Sequence, residues 1–468
     1  MRIPGPEPRA DGGVGAVTAA GGLHLYQLQL HDTYGPVVRF QLPGGEMAVS
    51  VADPVLLEAT AHLDERPPRL FEFLAPLCEA ENLQVLPADE HAPWRRLLLS
   101  VFAGRPSHER HFARFTALAT RLADDWAARA DRGPVPLQKD LTALTLRMIC
   151  QYALGGAATE PDRVIAAFEE VLTEYLGRLY HVPLPGTRAE RAERAERALA
   201  YLRATVDEVV AAHASGGDRE DRADRADRAD REDQADREDQ ADREDRSDLI
   251  GALVRDGASP ARIRDTVMVT LLAAHHTTGV AVSWTLHLLG RHPEVAERVA
   301  DELDAVLGAR AAPSYADMRR LGYLEMVLKE SMRLYPPGPY GARVTTGALT
   351  LGDYEIPAGT TVFYPFWAVH LNPEYWPEPQ EFRPERFTPE EAAGRPRLAY
   401  VPFGLGPRAC EGAQLAMVEA ELILAVLLRR FRFRPVPGHD VTPVERFVLW
   451  AADDIPMTLS PRLPARQG

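Results

Sequence analysis

Apolar residues recur at helical spacing through most of the 468 residues. That period predicts helices over His108–Ala130, Ala189–His213, Ala261–Gly290, Pro293–Leu307, Met318–Tyr335 and Ala413–Arg430. The third of these would span roughly 45 Å at about 1.5 Å per residue. Extended segments are predicted at Val37–Leu42 with Met47–Val51, at Ala348–Ile356 with Thr361–Phe366, and near Arg446–Ser460. Gly, Pro and Asp turn signals bound the last two clusters. The pattern is that of a mainly α protein with a small β region. No G-x-G-x-x-G opens a helix after a strand, so a dinucleotide-binding fold is not supported.

One stretch breaks the pattern. Asp218–Arg246 repeats Asp, Arg and Glu with almost no apolar residue beyond alanine, too little to offset the entropy of ordering. It reads as a solvated charged insertion, spanning about residues 216–248, in an otherwise single domain over residues 1–468. The shorter Arg188–Ala198 repeat leads straight into Leu199-Ala200-Tyr201-Leu202 and reads as the exposed start of a real helix. Charge follows the same division. Asp218–Asp248 holds 15 acidic residues and 8 arginines, so −7 of the net −15 sits there and the rest of the chain carries −8. An acidic chain argues against nucleic acid as a partner.

With 46% hydrophobic and 26% charged residues the composition is that of a soluble globular protein. The first residues lack the apolar core of a signal peptide. No run reaches the roughly 18 uncharged apolar residues a membrane span requires. The best candidate, Leu415–Leu428, is interrupted by Glu419 and Glu421. Three widely spaced cysteines (Cys78, Cys150 and Cys410) indicate neither a disulfide framework nor a zinc cluster. The expected location is the cytoplasm, and the expected state a monomer.

Chemistry concentrates at Phe403-Gly404-Leu405-Gly406-Pro407-Arg408-Ala409-Cys410-Glu411-Gly412, just before a long apolar stretch. A thiolate near a helix N-terminus is stabilised by the macrodipole and by unpaired backbone N–H groups. Glycines let the preceding loop approach a flat ligand, and an arginine there can hold an anion at the ligand's rim. These features suit a cysteine-ligated haem iron, whose electron-rich sulfur favours O–O cleavage. A single cysteine is more often a small buried hydrophobe. Five fixed positions in ten residues, F-x-x-G-x-R-x-C-x-G, set this one apart.

The loop resembles the haem-binding loop of the cytochrome P-450 family, and four further motifs occur in the family's order. Glu330 and Arg333, three apart, precede Pro336-Pro337, and Arg386 follows in Pro384-Glu385-Arg386-Phe387. In the family these three interlock beneath the haem loop as structural residues. The resemblance further implies that His91, Arg95, Arg343 and Arg408 serve the haem propionates, that Phe403 belongs to the haem-binding loop, and that Cys410 ligates the metal. Trp94 would pack beside the porphyrin edge. The central-helix segment Val269–Gly279 reads VTLLAAHHTTG, where the family usually has A/G-G-x-D/E-T-T/S. Thr277 matches the threonine that helps deliver protons in oxygen cleavage. Ala274 replaces the usual glycine and His276 the usual acid, so His276 is either a proton relay or a packed helix residue.

The resemblance covers roughly Leu25–Leu463 outside the charged tract. It implies the P-450 fold, a triangular prism with haem b between the long central helix and the cysteine loop. It also implies monooxygenation with O2: one oxygen atom enters a C–H bond of a medium-to-large lipophilic small molecule, such as a terpenoid or polyketide of secondary metabolism. Expected partners are a ferredoxin and its reductase, carrying electrons from NAD(P)H, with Arg95, Arg96 and Arg408 offered as a docking face. Apolar segments at Arg69–Leu86 (with Phe71, Phe73 and Leu74), Tyr175–Pro185, Pro339–Val344 and Glu445–Val448 would line the substrate site. Alternatives within haem-thiolate chemistry are an oxidase that couples, desaturates or rearranges its substrate, and a peroxygenase. A haem sensor is disfavoured because no signalling module is appended.

Overall fold

The computed structural model of the chain describes residues 2–80, 83–154, 161–179, 186–226 and 249–462. Helices α1 Val14–Ala20, α2 Leu23–Tyr34 and α3 Pro54–Thr60 enclose a hairpin of β1 Val37–Gln41 and β2 Met47–Val51. Then come α4 Ala88–Phe102, α5 Arg105–Arg129, β3 Val135–Pro136, α6 Leu137–Leu154, α7 Pro161–Leu179, α8 Arg188–Ala226 and α9 Leu249–Arg255. The long α10, Pro260–Arg291, leads to α11 Pro293–Leu307, α12 Tyr315–Met318 and α13 Gly322–Leu334. Strands β4 Gly341–Val344, β5 Leu349–Leu351, β6 Tyr354–Ile356 and β7 Thr361–Tyr364 follow, then α14 Phe366–His370 and α15 Pro389–Ala392. The chain continues through α16 Ala413–Arg430, β8 Phe431–Pro435, β9 Pro443–Arg446, β10 Val448–Ala451 and β11 Pro456–Pro461.

Two compact units share these elements. The first takes residues 1–68, 112–144 and 276–468; the second takes 69–111 and 145–275. Helices α5, α6 and α10 each run through a division point, so neither unit is a contiguous stretch of chain.

The first unit holds a sheet of order β1-β2-β7-β4, in which β2 and β7 run parallel and Arg343 of β4 faces Val362 of β7. Its apolar residues, among them Val37, Val51, Leu57, Leu351, Ile356 and Val362, form one buried cluster. A second sheet orders β3-β11-β8. Strand β8 reads Phe-Arg-Phe-Arg, with Phe431 and Phe433 buried and Arg432 and Arg434 exposed, the two-residue alternation of a half-buried strand. Helix α16 buries Glu419 and Glu421 among leucines. Burial pushes both carboxyls up to about 8, so they enter the core as neutral acids at neutral pH.

The second unit is helical. Arg191 and Arg194 of α8 pair with Glu174 and Glu170 of α7. Asp265 of α10 accepts from the backbone N–H groups of Glu79 (3.0 Å) and Ala80 (2.6 Å). Tyr152 donates to the Val101 carbonyl at 2.6 Å.

Most predicted helices match within a few residues, and Pro293–Leu307 and Ala413–Arg430 match outright. The helix expected over Met318–Tyr335 is α13, starting later at Gly322, and Met318 instead ends the separate short α12. Asp317 takes hydrogen bonds from the N–H and hydroxyl of Ser314, closing the short α12 in a capping box. Helix α13 then restarts at Gly322 and ends before Pro336-Pro337, which lack the N–H groups a helix needs. The helix expected over Ala189–His213 extends to Ala226, so it takes in the first residues of the charged tract. Residues 227–248 of that tract lie outside the described residues, as do residues 180–185 and the Phe73 side chain of the expected substrate-site lining.

Gly279 sets how closely α10 approaches α6. A Cβ there would lie 2.8 Å from the backbone N and Cα of Thr142. We expect Gly279→Ala to cost about 1–3 kcal/mol through overpacking. A lowered melting temperature checks this; an unchanged one would show that the helices can part without loss.

Candidate functional site

The cysteine loop is built by backbone constraints. Gly404 and Gly406 adopt φ of +74° and +67°, where a side chain is strained. A Cβ on Gly406 would also lie 2.0 Å from the Ala61 carbonyl oxygen, so the loop presses on the segment after α3. The loop closes through Gly404 N–H to Val401 O (3.1 Å), Ala409 N–H to Gly406 O (3.1 Å) and Cys410 N–H to Phe403 O (2.8 Å). Gly412 is the N-cap of α16, two residues past Cys410. Cys410 is exposed, whereas Cys150 is buried with its thiol pushed up to about 12 by burial. Of these two, only Cys410 has the surroundings of a reactive thiol.

Three guanidiniums gather beside this loop. Arg408 is buried and donates from Nε to the Asp64 carbonyl at 2.9 Å while pairing with the Asp64 carboxylate. Arg66 donates to the Arg408 carbonyl at 3.1 Å. Arg343 is buried on β4, bonds to the Ala342 carbonyl at 2.7 Å and sits 5.7 Å from the Tyr364 ring centroid. Burial pushes Arg66 down to about 9, and the Arg343 charge adds to that shift. Burial likewise pushes Arg343 down to about 10, with Arg408 contributing. The nearby acids, Asp64 and Glu411, are fewer than the cations. Arg343 Nε is buried without a hydrogen-bond partner. An orphaned buried donor among repelling cations fits a bound anionic group, and the two propionates of haem are such a group. Arg66 and Asp64 were missed from sequence; the basic residue of Glu65-Arg66-Pro67-Pro68 was the signal.

Beneath the loop, Glu330 binds Arg333 through two bonds of 2.7 and 2.8 Å and pairs with Arg386 Nε at 3.3 Å. All three are buried. Arg333 also donates to the carbonyls of His370 (3.0 Å), Pro379 (2.7 Å) and Glu381 (3.1 Å). Arg386 takes the carbonyls of Pro377 (2.5 Å) and Glu378 (2.8 Å). His370, also missed from sequence, accepts the Val401 N–H on Nε2 at 2.8 Å. Burial, aided by the Arg333 charge, pushes His370 down to about 3, so it stays a neutral acceptor.

On α10, Ala273 is exposed and Ala274 and Thr277 are half-buried, while Val280–Leu289 are buried throughout. These three share one helix face. His275 is buried, and its carbonyl accepts from Thr145 Oγ1 at 2.6 Å. His276 is 8% exposed, stands edge-on to Trp450 at 5.0 Å between ring centroids, and is pushed down to about 3 by burial. His91 and Arg95 lie one turn apart on α4, in the second unit; His91 is buried and Arg95 half-buried. Trp94 is buried there, with the Arg262 guanidinium 4.4 Å from its ring centroid. Arg408, offered as a docking residue, is 3% exposed, and its bonds to Asp64 take it out of any docking face.

The family profile described as Cytochrome P450 matches residues 12–457. Cyclooctat-9-en-7-ol 5-monooxygenase of Streptomyces melanosporofaciens is 36% identical over 76% of this chain and 73% of its own length. Cyclooctatin synthase of the same organism is 31% identical over 77% of this chain and 75% of its own length. Cytochrome P450 4c3 of Drosophila melanogaster is 36% identical over 43% of this chain, a match spanning only 38% of the fly protein. The crystal structure of the cytochrome P450DA heme domain superposes with a TM-score of 0.81 at 23% identity, covering 99% of this chain and 98% of that one, and so shares the fold. The chain belongs to the cytochrome P450 family, a family of haem enzymes.

A histidine held neutral in the fold takes up its proton only on unfolding. Stability is therefore lost as pH falls from about 6.5 toward the folded value near 3. Between pH 6.5 and 5 each such group costs about 2 kcal/mol. We expect His276→Phe, which keeps the edge-on ring, to lose less stability over that range than the parent. Equal acid losses in denaturant titrations would show that His276 is not held neutral.

Proposed function

We propose that the chain is a haem-thiolate monooxygenase with Cys410 as the iron ligand. The observation that carries this reading is the glycine-shaped loop presenting an exposed thiol beside buried Arg343, whose Nε has no partner. Haem supplies the oxidising chemistry when bound: dioxygen is cleaved, one atom enters a C–H bond and the other leaves as water.

The residues divide the remaining work. Arg343 and Arg408, with Arg66 beside them, hold the propionates, and Phe403 closes the loop through its carbonyl. His91 and Arg95 are further propionate candidates by the same resemblance. Glu330, Arg333 and Arg386 fix the loop's base. Thr277 holds a proton-bearing water or oxygen by its hydroxyl. His276 packs against Trp450 instead of relaying protons, a reading its burial and neutral state support. In this reading residues 1–468 are one catalytic domain.

The substrate in this reading is a medium-to-large lipophilic molecule of terpenoid or polyketide type. The names of the two Streptomyces relatives, each aligned over three quarters of this chain, favour the terpenoid. Electrons come from NAD(P)H through a separate ferredoxin and reductase. In this reading the protein is a cytoplasmic monomer; among the described residues no helix is long and apolar enough to cross a membrane.

The reduced carbon monoxide complex should show the red-shifted band of thiolate ligation. Cys410→Ser should abolish that band, and Cys150→Ser should keep it. A thiolate band surviving in the Cys410 variant would falsify the ligand assignment.

Thr277→Ala should leave substrate binding nearly unchanged. Product formed per NAD(P)H consumed should fall on the order of tenfold, as expected when a proton-delivering group is lost. His276→Ala should lose stability at an unchanged ratio. The coupling ratio, measured in both variants, decides; an unaltered ratio in Thr277→Ala sinks the assignment.

A further inference from the structure

Where α10 ends and α11 begins, the first unit contains a cavity of ≈ 360 Å³ away from the cysteine loop. His287, Arg291, His292, Tyr335, Gln380 and Trp367 line it together with apolar side chains, and no Asp or Glu does. Trp284, His287, Leu288 and Arg291 share a face of α10 through their three- and four-residue spacing. Trp284 anchors that face: its indole donates to the Leu449 carbonyl at 2.8 Å, and its ring stacks on Tyr335 at 4.1 Å.

His287 is 5% exposed, and its Nδ1 is buried with no hydrogen-bond partner. The groups acting on it electrostatically are Arg291, His292 and His439, and none of them is acidic. His439, from the segment between β8 and β9, also has a buried nitrogen, Nε2, without a partner. The nearby carboxylate, Glu294, reaches His292 Nδ1 at 3.3 Å from a side chain 69% exposed. Among the described residues no carboxylate pairs with Arg291. A cation at a helix C-terminus complements the macrodipole, which accounts for Arg291 alone. It does not account for orphaned imidazole nitrogens around a cavity without an acid, since buried polar groups are almost always paired.

We propose that this cavity binds a small oxyanion, with Arg291 and His287 as its principal donors and His292 and Gln380 at its edge. Trp367 contributes only its ring face, because its indole N–H is taken by the Leu334 carbonyl at 2.7 Å. Burial, followed by Arg291, His292 and His439, pushes His287 down to about 4, and an incoming anion acts on it in the opposite direction. Binding therefore takes up a proton and strengthens as pH falls.

Calorimetric titration of the full-length haem-loaded protein with sodium sulfate tests this. Ionic strength is held constant with chloride, and sulfate keeps its charge across the pH range used. One saturable site per chain is expected, tighter at pH 5.5 than at pH 7.5. Arg291→Gln should weaken it at least about tenfold, the cost of losing a charge-assisted bond. His287→Leu should weaken it and remove the pH dependence. Neither variant touches the cysteine loop, so an unchanged haem spectrum confirms folding, and exposed Arg291 gives the safer variant. A parallel acetate titration tells a carboxylate from a tetrahedral head group, and binding of either supports the site. Heat that never saturates, or equal sulfate affinity in Arg291→Gln and parent, would overturn it.

Discussion

The buried ion triad of Glu330, Arg333 and Arg386 is the constraint on which the rest of the first unit depends. Removing three charges from water is costly, and their mutual attraction offsets that only when every remaining donor is used. Here the arginines spend their other N–H groups on the carbonyls of His370, Pro377, Glu378, Pro379 and Glu381. An irregular stretch with little secondary structure is thereby tied to the end of α13. His370 passes the order on, because its neutral ring accepts the Val401 N–H at the start of the cysteine loop. The triad acts at a distance from Cys410 through one backbone hydrogen bond.

A second group of buried cations flanks the loop itself. At the triad two guanidiniums share Glu330 and the backbone carbonyls around it; beside the loop Arg66, Arg343 and Arg408 stand with Asp64 and Glu411. Repulsion among buried cations is destabilising, and attraction to an anionic group among them offsets it. In the α10–α11 cavity no Asp or Glu lines the wall, and Glu294 reaches His292 from an exposed side chain.

The central helix shows how burial assigns roles within one short motif. His275, His276 and Thr277 are consecutive, yet the helix turns each to different surroundings. His276 meets Trp450, the His275 carbonyl meets Thr145, and Thr277 stays on the accessible face with Ala273 and Ala274. Burial pushes the His276 ring down to about 3, so it is neutral at neutral pH.

Much was legible in the sequence because local spacing carried it. The F-x-x-G-x-R-x-C-x-G loop, the E-x-x-R pair and helices such as Ala413–Arg430 are encoded by residues a few positions apart, where sterics and periodicity act directly. The capping box of Ser314 and Asp317, which starts α12 just before the helix expected over Met318–Tyr335, was equally local and was overlooked. Strand β8 was missed although its Phe-Arg alternation stood in view, since a strand needs a partner and β11 arrives 25 residues later. What only the tertiary structure decided depended on approach across long separations. Arg66 stands 342 residues from the Arg408 carbonyl it binds, and His370 lies 31 from Val401. Burial decided the rest: it hides Arg408 from any partner, holds His276 and His370 neutral, and admits Glu419 and Glu421 to a core. Sequence spacing specifies which side chains share a face; the low dielectric around that face, set by everything packed against it, determines their charge and so their chemistry.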